Sequence, residues 1–156
     1  MTEAEALAAL QEPDPARAGR AEAALWGMWC RSGRSDLDGR LGEAVAAMER
    51  RDFGEADRLL TALVRDAPDW AEAWNKRATV RYLAADYDGS IADCRETLAR
   101  KPHHFGALSG QGLCHMALGQ YGPAAATFRR ALAVHPHLEA VRQNLRSALT
   151  EVVRYN

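Results

Sequence analysis

The stretch AEAWNKRATVRYLAADYDGSIADCRETLARKPHH (71–104) decides the fold. Near its end stands Pro102, with Pro68 34 residues before it and Pro136 34 residues after it. Aligning on that period gives LDGRLGEAVAAMERRDFGEADRLLTALVRDAPDW (37–70) upstream and FGALSGQGLCHMALGQYGPAAATFRRALAVHPHL (105–138) downstream. Self-similarity at a fixed period marks an array in which each unit buries its apolar face against the next.

The aligned columns have physical readings. Ala44, Ala78 and Gly112 keep one position small, which lets two helices approach closely, and Ala56, Ser90 and Ala124 do the same at a second position. Leu60, Cys94 and Phe128 form a larger packing column. Leu63, Thr97 and Ala131 follow three residues later on the same helical face. An aromatic (Phe53, Tyr87, Tyr121) recurs just after a break, beside Asp52, Asp86 and Gln120, with Gly54, Gly89, Gly119 and Gly122 in the turns nearby. Pro123 sits where a second helix begins, a position that tolerates proline. The closing prolines cannot continue a helix, so each segment is a helix–turn–helix.

This pattern resembles the tetratricopeptide repeat family. The second segment carries it most fully, with Trp74, Ala78, Tyr87, Ile91 and Pro102 in the family's signature slots. Arg40 and Leu108 replace the aromatic held by Trp74, and Arg77 occupies a slot usually held by leucine. The resemblance covers 37–138 and implies an all-α, right-handed superhelix, an α-solenoid of stacked helix–turn–helix repeats at 37–70, 71–104 and 105–138.

The flanks complete the stack. Residues 139–156 form a capping helix, with Val141, Leu145, Ala148, Leu149 and Val152 on one stripe to close the last apolar face. Residues 1–36 form an N-terminal helical cap: a helix from about Pro15 to Arg31, carrying Leu25, Trp26, Met28 and Trp29, is expected to cover the first repeat. Residues 1–12 add a short helix or fray, and SGRSD (32–36) is the linking turn.

Composition narrows the function. Lys and Arg number 20 against 21 Asp and Glu, whereas a nucleic-acid binder carries a basic excess. The halves differ, with 9 basic and 13 acidic residues in 1–68 and 11 and 8 in 69–156. No apolar run is long enough for a membrane span. The start, MTEAEALAAL, lacks the layout of a signal peptide. Cys30, Cys94 and Cys114 are odd in number and scattered, which implies a reducing, cytoplasmic setting.

The family resemblance implies a protein-interaction module, an adaptor or assembly factor without catalysis or cofactor, binding a segment of a partner protein in the concave groove. The repeat register names the groove residues: Leu41, Val45 and Met48; Asn75, Thr79 and Tyr82; Ser109, Leu113 and Met116; and Gln143, Asn144 and Ser147 from the last helix, with Lys76 at the rim. Asn75 and Thr79 are four apart on one face, and an Asn amide can bond both the N–H and the C=O of a bound backbone. Some relatives grip a terminal carboxylate with Lys and Asn on successive first helices. Here those slots hold Leu41, Val45, Gly106 and Gly110, so that clamp is not expected. Arg77 and Arg81, also four apart, need anionic partners. Asp93, Glu96 or Asp66 can supply them internally. The alternative is an external carboxylate or phosphate, which makes Asn75, Lys76, Arg77 and Arg81 an anion-sensing site. A third reading is a homo-oligomer that buries its own groove.

Other constellations favour structure over chemistry. His103 and His137 share a slot in successive repeats and so lie about 10 Å apart, too far to share a metal without His104 or His135. His115 reads as a helix-packing residue, and adjacent Cys114 and His115 point in different directions. GALSGQGL (106–113) has no preceding strand to make it a nucleotide loop. Trp26, Trp29 and Trp74 read as packing residues, and Trp70 falls in a turn where it can be exposed. Asp86 and Asp88 read as helix caps.

Overall fold

The computed structural model describes residues 1–155. Among them are nine helices and no strand. Helices α1 (Glu3–Ala9) and α2 (Pro15–Trp29) form an N-terminal pair. Then come α3 (Ser35–Glu49) with α4 (Phe53–Asp66), α5 (Ala71–Leu83) with α6 (Tyr87–Arg100), and α7 (Phe105–Ala117) with α8 (Tyr121–Val134). The last helix is α9 (Glu139–Tyr155). Helices α3 to α9 stack in order as a helical solenoid. No helix among the described residues is long and apolar enough to cross a membrane.

Each repeat turns between its helices by one device. The last residue before the second helix's cap adopts a left-handed backbone: Arg51 (φ 60°), Ala85 (φ 62°) and Gly119 (φ 72°). Ala85 N–H donates to the Tyr82 carbonyl at 3.0 Å and Asp86 N–H to the Arg81 carbonyl at 2.8 Å, and the other two turns repeat this pair. These are Schellman turns, which satisfy the orphan carbonyls at the end of the first helix. The next residue caps the second helix. Asp52 accepts from Glu55 N–H at 3.2 Å and Asp86 from Gly89 N–H at 3.0 Å, whereas Gln120 makes no such bond. Asp88 lies two residues further, inside the first turn of α6, and is not the cap.

The small and large columns interlock. Phe128 is fully buried, and Gly112 faces it so closely that a Cβ there would run into the ring. The equivalent pairs are Ala44 with Leu60 and Ala78 with Cys94, so the largest partner stands opposite the smallest residue. One core cluster fills the first repeat and reaches Ala73 and Val80 of α5, and a second runs from Leu108 through Phe128 to Val141 and Ala148 of α9.

The N-terminal pair takes the short-helix alternative for residues 1–12 and departs from expectation in where α2 packs. Residues 1–12 do not fray: Thr2 and Glu5 exchange the two bonds of a capping box at 3.1 and 2.9 Å, which starts α1. Nor does α2 principally cover the first repeat. The pair lies along the edge made by the inter-repeat loops, as a strap. Trp29 O accepts from Trp70 Nε1 at 2.9 Å, so Trp70 is half-buried rather than free. Glu3 pairs with Lys101 at 2.7 Å, and Glu22 with His135 at 3.1 Å. Gln11 Nε2 donates to the carbonyls of Ala133 and Val134, and His137 Nε2 meets Glu12 O at 2.8 Å. Leu10, Leu25 and Trp29 bury against Phe105, with Val134 and Leu138 packed beside them. The reason is chemical: α2 carries two indoles, and the loop edge presents Trp70, His104 and Phe105 to receive them. The turn after α2 ends at Arg34, since Ser35 and Asp36 already belong to α3.

Candidate functional site

A cavity of about 310 Å³ opens in the wall formed by the first helices of the second and third repeats. Helix α5 contributes Asn75, Ala78, Thr79, Tyr82 and Leu83, and α7 contributes Gly106, Ser109, Gly110 and Leu113. Ser90 and Cys94 of α6 are buried and form the floor. The small residues make the space: no side chain fills Gly110, where an added Cβ would meet only Cys94 Sγ at 3.8 Å. Burial pushes the Cys94 thiol up to about 12, helped by Cys114 and Asp93, so the floor is an uncharged thiol at neutral pH.

Of the groove residues named from the repeat register, Asn75, Thr79, Tyr82, Ser109 and Leu113 meet at this cavity. Met116 lies outside it, packed at the margin of the second core cluster. Gln143 and Ser147 are exposed on α9, and Asn144 is half-buried there. Leu41 is buried in the first core cluster.

Asn75 and Lys76 belong to a buried network. Glu72 is fully buried at the start of α5. Its Oε1 accepts from Asn75 Nδ2 at 3.0 Å and pairs with Lys76 Nζ at 3.0 Å. Its Oε2 lies 2.8 Å from His104 Nε2. His104 caps α7, with Nδ1 accepting from Ala107 N–H at 3.0 Å, which places the ring proton on Nε2, facing Glu72. The strap roofs the network. Trp29 stacks on His104 at 4.2 Å, Trp26 meets the same ring edge-on at 5.4 Å, and Lys76 Nζ lies 5.3 Å from the Trp26 ring. Burial pushes the Glu72 carboxyl up, but the bond from His104, the Lys76 charge and the bond from Asn75 outweigh it and hold it below its ordinary value. Glu72 and His104 thus bear on the site, though neither was singled out for it in the sequence. The available signal was a Glu four residues before Lys76, the favourable order for a helical pair.

Arg77 and Arg81 are spent inside the fold. Arg77 donates to both carboxylate oxygens of Asp93, at 2.9 and 2.8 Å, and Arg81 Nη1 lies 3.1 Å from Asp93 Oδ2. Arg81 also reaches Asp57 at 3.4 Å. Asp93 is 2% exposed. It was one of the internal partners considered, whereas Asp66 pairs with Arg40 and Arg65, and Glu96 with Arg100. Cys114 is buried, and burial pushes its thiol up too. His115 is buried against Gln120, at 2.7 Å. Among the described residues, no three His, Cys, Asp or Glu side chains gather as metal ligands.

Comparison with known proteins bears on the repeat itself. The tetratricopeptide repeat family model matches residues 41–104 and 84–137. A TPR repeat-containing protein of Rhizobium etli is 29% identical over 126 residues, covering 81% of this chain but only 62% of its own length. The Sgt2 TPR domain from Aspergillus fumigatus superposes with a TM-score of 0.75 at 19% identity, over 79% of this chain and 83% of that one. The first TPR of Spaghetti (RPAP3), bound to the HSP90 peptide SRMEEVD, superposes with a TM-score of 0.73 at 17% identity, over 75% and 93% of the two chains. At these identities the likeness to the two structures is one of fold. With its 34-residue period, its stacked helix pairs and the family match across most of its length, the chain belongs to the tetratricopeptide repeat family.

Proposed function

We propose that this protein is a peptide-binding adaptor or assembly module without catalysis of its own. Three repeats (37–70, 71–104, 105–138), held between 1–36 and 139–156, present the groove. The observation that carries this reading is the open, mostly apolar cavity between α5 and α7, flanked by ionised groups that are already paired. A surface that is concave, apolar and free of unpaired charge suits a segment of another protein. The solved relative above holds a peptide, which supports the same use here. Nothing favours the anion-sensing alternative: Lys76, Arg77 and Arg81 each face a buried carboxylate.

The test is photo-crosslinking in an extract of the source organism. A benzophenone amino acid replaces Leu83, which is 44% exposed at the groove, or Arg95, exposed on α6. Partner peptides are expected at position 83 and not at 95. Equal labelling from both positions, or none from 83, refutes groove binding.

A further inference from the structure

The hydrogen-bond bookkeeping of the cavity has a direction. Thr79 Oγ1 donates to the Asn75 carbonyl at 3.1 Å, Ser109 Oγ to the Phe105 carbonyl at 2.8 Å, and Ser90 Oγ to the Ala78 carbonyl at 2.7 Å. A hydroxyl has one proton, so each oxygen keeps only lone pairs for a ligand. Asn75 is turned the same way. Ionised Glu72 can only accept, so the atom facing it at 3.0 Å is Nδ2, and Oδ1 is left as the outward end of the amide. His104 and Lys76 hold Glu72 in that role. The cavity thus presents mostly hydrogen-bond acceptors on an apolar lining, and the donors that remain beside it are the Tyr82 hydroxyl and the second Nδ2–H of Asn75. It carries no net charge, because Lys76 is neutralised by Glu72 and roofed by Trp26.

We propose that the cavity is a pocket for one uncharged apolar side chain of an extended partner peptide, whose neighbouring backbone N–H is received by Asn75 Oδ1, with Glu72 as the positioning residue that orients the amide. This rests on the peptide-binding reading above and makes it specific. Charge complementarity selects the occupant. A terminal or side-chain carboxylate meets mostly acceptors and finds no free cation, because Lys76, Arg77 and Arg81 are each paired with a carboxylate. An ammonium finds no free carboxylate, since Glu72 and Asp93 are each held by at least two donors. A backbone N–H beside an apolar side chain satisfies both the lining and the acceptors.

The experiment uses the full chain and a randomised library of N-acetylated, C-amidated octapeptides, with binders selected by affinity and identified by mass spectrometry. The best binder is resynthesised three ways: with each backbone N–H replaced in turn by an ester oxygen, with the apolar residue as Ala, and with a free C-terminal carboxylate. Affinities are compared for wild type and Gly110→Leu, whose side chain grows into the cavity from a position with room for a Cβ and which gains helix propensity. The expected results are enrichment of one central apolar residue, a loss of about fivefold to tenfold from the ester at a single position, and a loss of more than about tenfold in Gly110→Leu with melting unchanged or raised. The free acid should bind no better than the amide. Selection of acidic or carboxylate-dependent peptides overturns the proposal, as does full affinity in Gly110→Leu or indifference to every ester, while peptide binding itself stands. Concentration-dependent dimerisation that Gly110→Leu abolishes overturns it in favour of a second copy of this chain. If no peptide in the library binds wild type, the peptide-binding reading falls with it.

Discussion

Replacing Ala85 with glycine should stabilise this protein. Ala85 holds φ 62° at the end of α5, where the chain must turn left-handed to place Asp86 as the cap of α6. In that region a Cβ crowds the following carbonyl, at about 1–2 kcal/mol. The third repeat meets the same demand with Gly119, at φ 72°. Ala85 is exposed, so removing its methyl costs little packing. Against the relief stands the extra freedom of glycine in the unfolded chain, about 0.4–1 kcal/mol. The balance is a gain of about 0.5–1 kcal/mol. At about 2–4 °C per kcal/mol for a chain of this size, the melting temperature should rise by about 1–4 °C. Far-UV circular dichroism on heating reads the shift, and urea unfolding with an unchanged slope confirms that the folded state is what changed. The control is Ala84→Gly, one residue earlier at φ −88°, which should lose stability because nothing there needs glycine. If Ala85→Gly melts at or below the parent, as Ala84→Gly does, the turn carries no strain and the reasoning is wrong.

Other perturbations read the packing and the electrostatics. Gly112→Ala drives a methyl into the Phe128 ring and should cost about 1–3 kcal/mol by denaturant unfolding. Adding Phe128→Leu, which restores the Ala–Leu pairing of the first repeat, should make the double variant more stable than the two single costs combined, by at least about 0.5 kcal/mol of coupling. Asp93→Ala leaves two guanidinium groups without their buried partner and should cost about 3 kcal/mol or more. Glu72 sets a pH dependence of definite sign. Its carboxyl is lowered in the fold, so its contribution is fully present above about pH 4.3, the unfolded value. It is lost as pH falls through the lower folded value. Glu72→Gln should therefore melt lower at neutral pH but show a shallower acid limb, and parallel limbs for both proteins would refute the assignment.

The period made the stack legible because repetition repeats the packing problem. Each unit solves helix approach with a small residue, filling with a large one and termination with a proline, so three copies of one answer appear in register. The alignment showed a small column and a large one, and the structure adds that they face each other, with Gly112 against Phe128 as a compensated pair. The turns were less legible. Arg51 and Ala85 hide a left-handed residue that only Gly119 announces, because the helix before and the Asp cap after over-determine the backbone there.

The chemistry of the site was legible only in part, and the reason lies in the strap. The spacing of Asn75 and Thr79 placed both on one face of α5, and both line the cavity. What the Asn75 amide offers is set elsewhere. Glu72 accepts one N–H of that amide, His104 fixes Glu72 from the cap of α7, and Trp29 stacks on His104 from outside the repeats. Trp26 closes the same arrangement over Gly106, where a Cβ would stand 2.5 Å from the indole. No column of a 34-residue period can contain these contacts, because α2 has no counterpart among the repeats. The repeat register thus names, besides Leu41 and Met116, which pack into the core or at its margin, some of the residues that line the cavity (Asn75, Thr79, Tyr82, Ser109 and Leu113). The polarity they show there depends on a non-repeating segment that clamps the loop edge at Trp70, Lys101, His104 and His135. Related stacks with the same wall residues and a different N-terminal segment should then select different ligands.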